Sequence, residues 1–149
     1  MSARRARTLD TVGWREWVAL PDLCPTPMKA KVDTGARTSS LHAFDLTVVG
    51  EGDSAEVEFE IHPHQRSARD GVAVRCPVAG FRRVRSSTGH AELRPVIRTP
   101  LLLGTHRYEV DITLTSRDSM GFRMLLGRSA LRRRFVVDAG RSFLQGDAP

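Results

Sequence analysis

The sequence predicts an all-β fold. Two segments alternate apolar and polar residues with a period of two, the remaining apolar runs are short, and only one brief stretch suits a helix. Glu56 to His62 reads Glu-Val-Glu-Phe-Glu-Ile-His, which sets Val57, Phe59 and Ile61 on one face of a half-buried strand. Tyr108 to Thr115 repeats the pattern, with Tyr108, Val110, Ile112 and Leu114 facing in and Glu109, Asp111, Thr113 and Thr115 facing out.

The other elements follow in order. Residues 1–10 are polar and basic, with Arg4, Arg5 and Arg7, and read as a flexible lead. From Val12 onward strands are separated by turn residues, and one runs through Lys29-Ala30-Lys31-Val32 into Asp33. Gly50 to Ser54 and His64 to Gly71 are surface loops, too short and too varied for domain linkers. Val72 to Val78 and Pro95 to Leu103 are β-rich, and Ser86-Ser87-Thr88-Gly89 predicts a hairpin turn between Arg82 and Ile97. Met124-Leu125-Leu126 is an apolar strand ending in Gly127-Arg128, and a short helix is expected over Ser129–Arg134 with Ser129 as its N-cap. Phe135 to Asp138 then forms a last strand before a turn at Gly140. No repeat of 20–50 residues is present, so residues 11–149 are expected to form one domain.

Composition narrows the function. The 149 residues are 40% hydrophobic and 27% charged, which fits a folded domain rather than a disordered one. No run approaches the roughly 20 apolar residues of a membrane helix, and the basic start is not followed by an apolar signal segment. A cytoplasmic protein is expected. Cys24 and Cys76 follow no Cys-x-x-Cys spacing and are expected as reduced thiols. The net charge is +6, and only Lys29 and Lys31 are lysines. An arginine-rich surface grips carboxylates or phosphates, although arginine bias also arises without a partner. Nucleic acid is disfavoured: no aromatic-rich stretch accompanies the arginines, and Arg132-Arg133-Arg134 reads as a solvated helix end.

The segment Lys29 to Ser40 carries the chemistry. A strand enters Asp33, Thr34 and Gly35 turn the chain sharply, and the carboxylate is left at the turn. Thr34 offers a hydroxyl to lock the loop, and Gly35 suits close approach of a substrate because it lacks a Cβ. Asp-Thr-Gly-Ala followed at distance by Leu125-Leu126-Gly127-Arg128, in an all-β chain, resembles the retropepsin-like aspartic proteases. Val12 to Pro21, Lys29 to Leu41, Glu92 to Ile97 and Ser116 to Arg128 are similar to a bacterial family of that class, often labelled ATP-dependent zinc proteases and found with ATP-grasp ligases that add glutamate to a ribosomal protein. The resemblance covers Thr11 to Leu144.

The resemblance implies a closed β-barrel with one short C-terminal helix and a homodimer, since one Asp-Thr-Gly per chain supplies half of a catalytic pair. It implies Asp33, Thr34 and Gly35 as the catalytic loop. Ala36, Arg37, Lys31, Ser87, Gly89 and Arg128 would meet the substrate, and Leu125, Leu126 and Gly127 would support the loop. The hairpin at Ser86 to His90 would be either a flap closing over substrate or an ordinary exposed turn. The implied partners are an acidic, glutamate-extended ribosomal-protein tail and an ATP-grasp glutamate ligase.

Neither zinc nor ATP fits the family's label. The five histidines, His42, His62, His64, His90 and His106, form no His-Glu-x-x-His, and the His62-Pro63-His64 pair lacks a third ligand. No Gly-x-x-x-x-Gly-Lys-Ser/Thr cradle exists, so no cofactor is expected. Val137-Asp138-Ala139-Gly140-Arg141 echoes Val32 to Arg37, but Ala139 brings no hydroxyl and only 11 residues follow Asp138, too few for a second lobe. One departure stands out. Retropepsins carry an acid four residues after the catalytic Asp to pair with the Gly-Arg arginine; here that place holds Arg37. Either Arg37, Lys29, Lys31 and Arg128 receive acidic substrate groups, or Arg37 pairs with an acid such as Asp118 or Glu16. The competing functions are a non-catalytic peptide- or partner-binding module, an RNA-associated protein and a zinc hydrolase.

Overall fold

In the computed structural model, which describes residues 8–85, 88–116 and 121–147, those residues form twelve strands and one α-helical turn. In chain order they are β1 (Asp10–Val12), β2 (Arg15–Leu20), β3 (Cys24–Val32), β4 (Ser39–His42), β5 (Phe44–Val49), β6 (Glu56–Ile61), β7 (Val72–Pro77), β8 (Gly80–Arg85), β9 (Ala91–Leu103), β10 (His106–Thr115), β11 (Met124–Leu126), α1 (Arg128–Leu131) and β12 (Phe135–Val137). No described helix is long and apolar enough to cross a membrane.

Three sheets result. The largest has the order β10-β4-β11-β3-β2-β9-β8, and β10 also pairs with β9. Six strands therefore pair in a ring, from which β8 projects. The seam between β2 and β9 is a single pair, Ala19 opposite Leu102, so the expected closed barrel is a ring with one narrow join. The second sheet, β5-β6-β7, is antiparallel; the third pairs β1 with β12 in parallel and brings Val12 beside Val137.

Alternation decides what enters the core. In β6, Val57, Phe59 and Ile61 are buried while Glu56, Glu58 and Glu60 are not. Leu41, Ile97, Leu101, Ile112, Leu114, Met124 and Leu126 are fully enclosed, and each such side chain contributes about 1.5–3 kcal/mol on burial. On β10 the expected outward threonines depart from the pattern: Thr113 and Thr115 are buried. Thr113 lies in the sheet between Ser40 of β4 and Val96 of β9 and lines an open hollow with Thr38 and Ala79, and Thr115 lies beside His42 of β4.

The helix also differs from expectation. It begins at Arg128 with Gly127 as its N-cap, so Ser129 lies inside the first turn, and it ends at Leu131. Arg132 leaves helical geometry and Arg133 is left-handed, which stops further turns. The backbone N–H of Arg128 and of Ser129 donate instead to the carbonyls of Ala36 and Arg37, and this long-range anchoring sets where the turn begins. The predicted hairpin is present, with Arg85 opposite Ala91 and Gly89 in the left-handed region at its tip. Ser86 and Ser87 lie outside the described residues.

Candidate active site

The loop after β3 is held from several sides. β11 lies parallel to β3 with Leu126 opposite Val32, and the Asp33 N–H donates to the Leu126 carbonyl at 2.9 Å. The chain then folds back on itself: Ala36 N donates to Asp33 O at 3.2 Å and Gly35 N to Asp33 Oδ1 at 2.9 Å. One carboxylate oxygen is thus fixed by its own loop, a short Asp-turn of the kind that pre-sets side-chain direction. The other, Oδ2, has no hydrogen-bond partner among the described residues. A Cβ on Gly35 would stand 3.1 Å from Oδ1 and crowd the bond that orients it.

The Gly-Arg segment locks the other side of the loop. A Cβ on Gly127 would fall on the backbone carbon and oxygen of Thr38, so only glycine permits this approach. Gly127 N donates to the fully buried Ser39 Oγ at 3.1 Å. Arg128 answers the question of its partner with a carbonyl: Nη1 donates to Thr34 O at 3.0 Å. Thr34 is exposed and its hydroxyl makes no hydrogen bond to any described residue, so the loop is closed by the backbone bonds and Arg128 rather than by this side chain.

The remaining expected residues divide. Ala36 sits in the loop, donating to Asp33 O and accepting from Arg128 N. Lys31 is half-buried on the outward side of β3, between Arg15 and Leu125 in neighbouring strands. Leu125 and Leu126 are buried beside the loop. Gly89 is exposed at the hairpin tip, and Ser87 lies outside the described residues. Arg37 is exposed, and its guanidinium pairs with no described residue. Glu16 is not its acid. That side chain is fully buried and accepts from Gly13 N at 2.7 Å, Leu144 N at 2.9 Å and Gln145 N at 3.0 Å. Asp118 lies outside the described residues.

Sequence reasoning missed this Glu16 clamp and the role of Ser39. The signal for Ser39 was present in the Thr-Ser-Ser run after Arg37; the signal for Glu16 was only an acid interrupting an apolar strand. The Asp138 echo has a geometric counterpart. Gly140 N donates to Asp138 Oδ1 at 3.0 Å, Arg141 N to Asp138 O at 3.3 Å, and Asp138 N to Val12 O at 2.8 Å. The same Asp-x-Gly turn thus follows both β3 and β12.

The histidines are engaged separately. His42 and His62 each stack on the ring of Phe44, at centroid distances of 4.0 and 3.8 Å. His64 meets Asp70 at 2.6 Å and His106 meets Asp10 at 2.6 Å. Among the described residues no three His, Cys, Asp or Glu side chains gather as a metal site would require. Tyr108 donates to the Ala130 carbonyl at 2.7 Å behind α1, and burial pushes its phenol up to about 12, against a smaller opposing effect of Arg134. The Cys24 and Cys76 thiols are pushed up chiefly by burial.

Residues 11–148 match the model of a family described as RimB-like, retropepsin-like aspartic endopeptidase RimB. Among curated proteins, a probable alpha-L-glutamate ligase of Shewanella halifaxensis is 44% identical over 137 residues, and one of Parasynechococcus marenigrum 43% over 136. Each alignment covers 91% of this chain but 30% and 29% of the relative, so the chain spans under a third of their length. A crystal structure of a protein of unknown function from Legionella pneumophila superposes with a TM-score of 0.72 at 24% identity, covering 93% of this chain and 99% of that one. That likeness concerns the fold.

Proposed function

Since the chain belongs to the RimB-like family of retropepsin-like aspartic endopeptidases, we propose that it is an aspartic peptidase whose active unit is a homodimer, with Asp33 of each copy sharing one proton across a water. Residues 11–149 act as one catalytic domain behind a basic lead. The observation that carries this reading is the Asp33 turn itself: Oδ1 is fixed by Gly35 N, and Oδ2 is left without a described partner at the end of a β3–β11 support. One such turn bearing Asp-Thr-Gly per chain calls for a second copy, and the exposed, unbonded Thr34 hydroxyl is available to that copy.

The chemistry follows from two carboxyls that cannot both ionise at close range. The ionised one takes a proton from water as the water oxygen bonds to the peptide carbonyl carbon. The protonated one gives its proton to the carbonyl oxygen, producing a tetrahedral diol. Collapse breaks the C–N bond as the protonated carboxyl passes its proton to the leaving nitrogen and the ionised one takes a proton from a diol hydroxyl, which yields the product acid and amine and leaves the pair sharing one proton. Gly35, by lacking a side chain, leaves room for the substrate backbone beside Asp33, while Ala36, Arg37, Lys31, Arg128 and the Ser87–Gly89 hairpin contact it.

The substrate is an acidic, glutamate-extended protein tail, such as that of a ribosomal protein in the cytoplasm. Support comes from the +6 charge, which draws acidic chains at long range, and from relatives named as probable glutamate ligases that contain a domain like this one. A glutamate ligase of that kind is the natural partner, one adding what the other removes. The test is cleavage of glutamate-tailed peptides from about pH 4 to about pH 8 by wild type and Asp33→Asn, with and without chelator, at protein concentrations spanning dimerisation. Activity that follows the dimer, ignores chelator and disappears in Asp33→Asn is expected. Binding without cleavage by wild type would leave a peptide-binding module, and chelator-sensitive activity surviving the substitution would refute the aspartic mechanism.

A further inference from the structure

A cleft of about 560 Å³ opens beside the Asp33 loop, and arginines dominate it: Arg37 from the loop, Arg82 from β8, Arg98 from β9 and Arg132 just after α1, against Glu109 and Asp111 of β10. Its size falls within the roughly 300–1,000 Å³ typical of ligand sites. Arg98 and Asp111 satisfy each other through two parallel bonds, Nε to Oδ1 at 2.8 Å and Nη2 to Oδ2 at 3.3 Å. Three guanidinium groups remain, those of Arg37, Arg82 and Arg132, and none has a hydrogen-bond or ion-pair partner among the described residues. Among the described residues that line the cleft, Glu109 is the one acid left to balance them. Three planar guanidinium forks around one hollow repel one another and are relieved by an anion with several oxygens.

Position ties the cleft to the proposed reaction. Arg37 lies four residues beyond Asp33, so their Cα atoms are separated by at most about 14 Å of chain. The backbone at Arg37 is held by Ser129 N donating to its carbonyl at 3.0 Å, and Arg132 comes directly after the short helix that Ser129 belongs to. An extended substrate advances roughly 3.3 Å per residue, which places the backbone of Arg37, at one edge of the cleft, within about four substrate residues of Asp33. No aromatic ring lines the cleft, so it lacks the stacking platform by which single-stranded nucleic acid is held. We propose that the cleft between Arg37, Arg82 and Arg132 is a carboxylate-reading subsite that receives the side chains of consecutive acidic residues a few positions from the bond presented to Asp33.

The subsite deepens the peptidase reading and rests on it for its place along the substrate, but binding there does not require cleavage. The experiment therefore measures binding. A labelled hexaglutamate peptide is titrated by fluorescence anisotropy against the full chain carrying Asp33→Asn, alone and combined with Arg82→Gln/Arg132→Gln. Arg66→Gln/Arg69→Gln, which removes the same charge from the loop before β7, serves as control. The cleft pair is expected to weaken binding about tenfold and the control less than about twofold. Equal weakening by both pairs would reduce the effect to overall charge and overturn the subsite. So would a hexauridylate bound as tightly as hexaglutamate and lost from the same variant, which would make the cleft a nucleic-acid site. If wild type fails to cleave while the cleft pair still abolishes hexaglutamate binding, the subsite stands and the peptidase reading falls. Intact cleavage with unchanged binding in the cleft pair would remove the subsite alone.

Discussion

Replacing Glu16 tests how the two ends of the chain are joined. Its carboxylate is fully buried, has no cationic partner among the described residues, and accepts three backbone N–H groups, one from Gly13 and two from Leu144 and Gln145. A carboxylate only accepts, so three converging donors match it without a misplaced proton. Glu16→Ala removes all three acceptors. The Gly13 donor is buried and costs about 2 kcal/mol when orphaned, whereas the Leu144 and Gln145 donors are half-exposed and regain part of their loss from water, about 0.5–1 kcal/mol each. The expected destabilisation is about 3–4 kcal/mol, a large share of the roughly 5–15 kcal/mol available to a domain. Glu16→Gln keeps one acceptor oxygen, which can serve Gly13 and Leu144, but turns an amide toward the Gln145 donor, and should lose about half as much. Urea unfolding should show a lower midpoint at unchanged slope, and hydrogen exchange should quicken first at the Leu144 and Gln145 amides. If Glu16→Gln matches wild type within about 0.5 kcal/mol, the clamp is not what holds the tail and the reasoning fails.

Two further outcomes follow from the same structure. Gly127→Ala drives a methyl into the Thr38 backbone; it should cost about 1–3 kcal/mol and displace the Asp33 loop, which calorimetry and peptide cleavage would show together, and an undisturbed variant would contradict the close approach. Tyr108 is the sole tyrosine, so the near-ultraviolet phenolate signal reports it alone. Burial raises its folded pKa from the ordinary 10 to about 12, so the folded state holds the proton longer than the unfolded one. The associated stability is complete below pH 10 and falls as pH rises toward 12. Tyr108→Phe should flatten that decline, and a phenol titrating at its ordinary value in the folded protein would refute the burial argument.

The strands were legible because period-two alternation survives wherever one face meets the core, as in Val57, Phe59 and Ile61. It misled at Thr113 and Thr115, which are buried although polar, so polarity does not report exposure there. The helix start was misplaced because backbone donors at Arg128 and Ser129 are claimed by Ala36 and Arg37, a contact across more than ninety residues that local capping rules do not contain. The Asp33 turn could be read from Asp-Thr-Gly, since a glycine two residues after an aspartate suits the bond that forms. The arginine cleft was only half legible: Arg37 stood out by its position, but Arg82 and Arg132 join it through tertiary folding alone.

The dependence of the Asp33 turn on distant chain has a consequence for the timing of its birth. β3 emerges from the ribosome early, yet its parallel neighbour β11 and the Arg128 guanidinium that grips Thr34 come more than ninety residues later. Parallel pairing across such a span is slow and closes only when both segments exist. A nascent chain, or one truncated before Met124, holds the local Asp33 turn but not the Leu126 carbonyl and the Arg128 guanidinium that fix it to the sheet. The anchoring of this turn is therefore completed only when nearly the whole fold is in place.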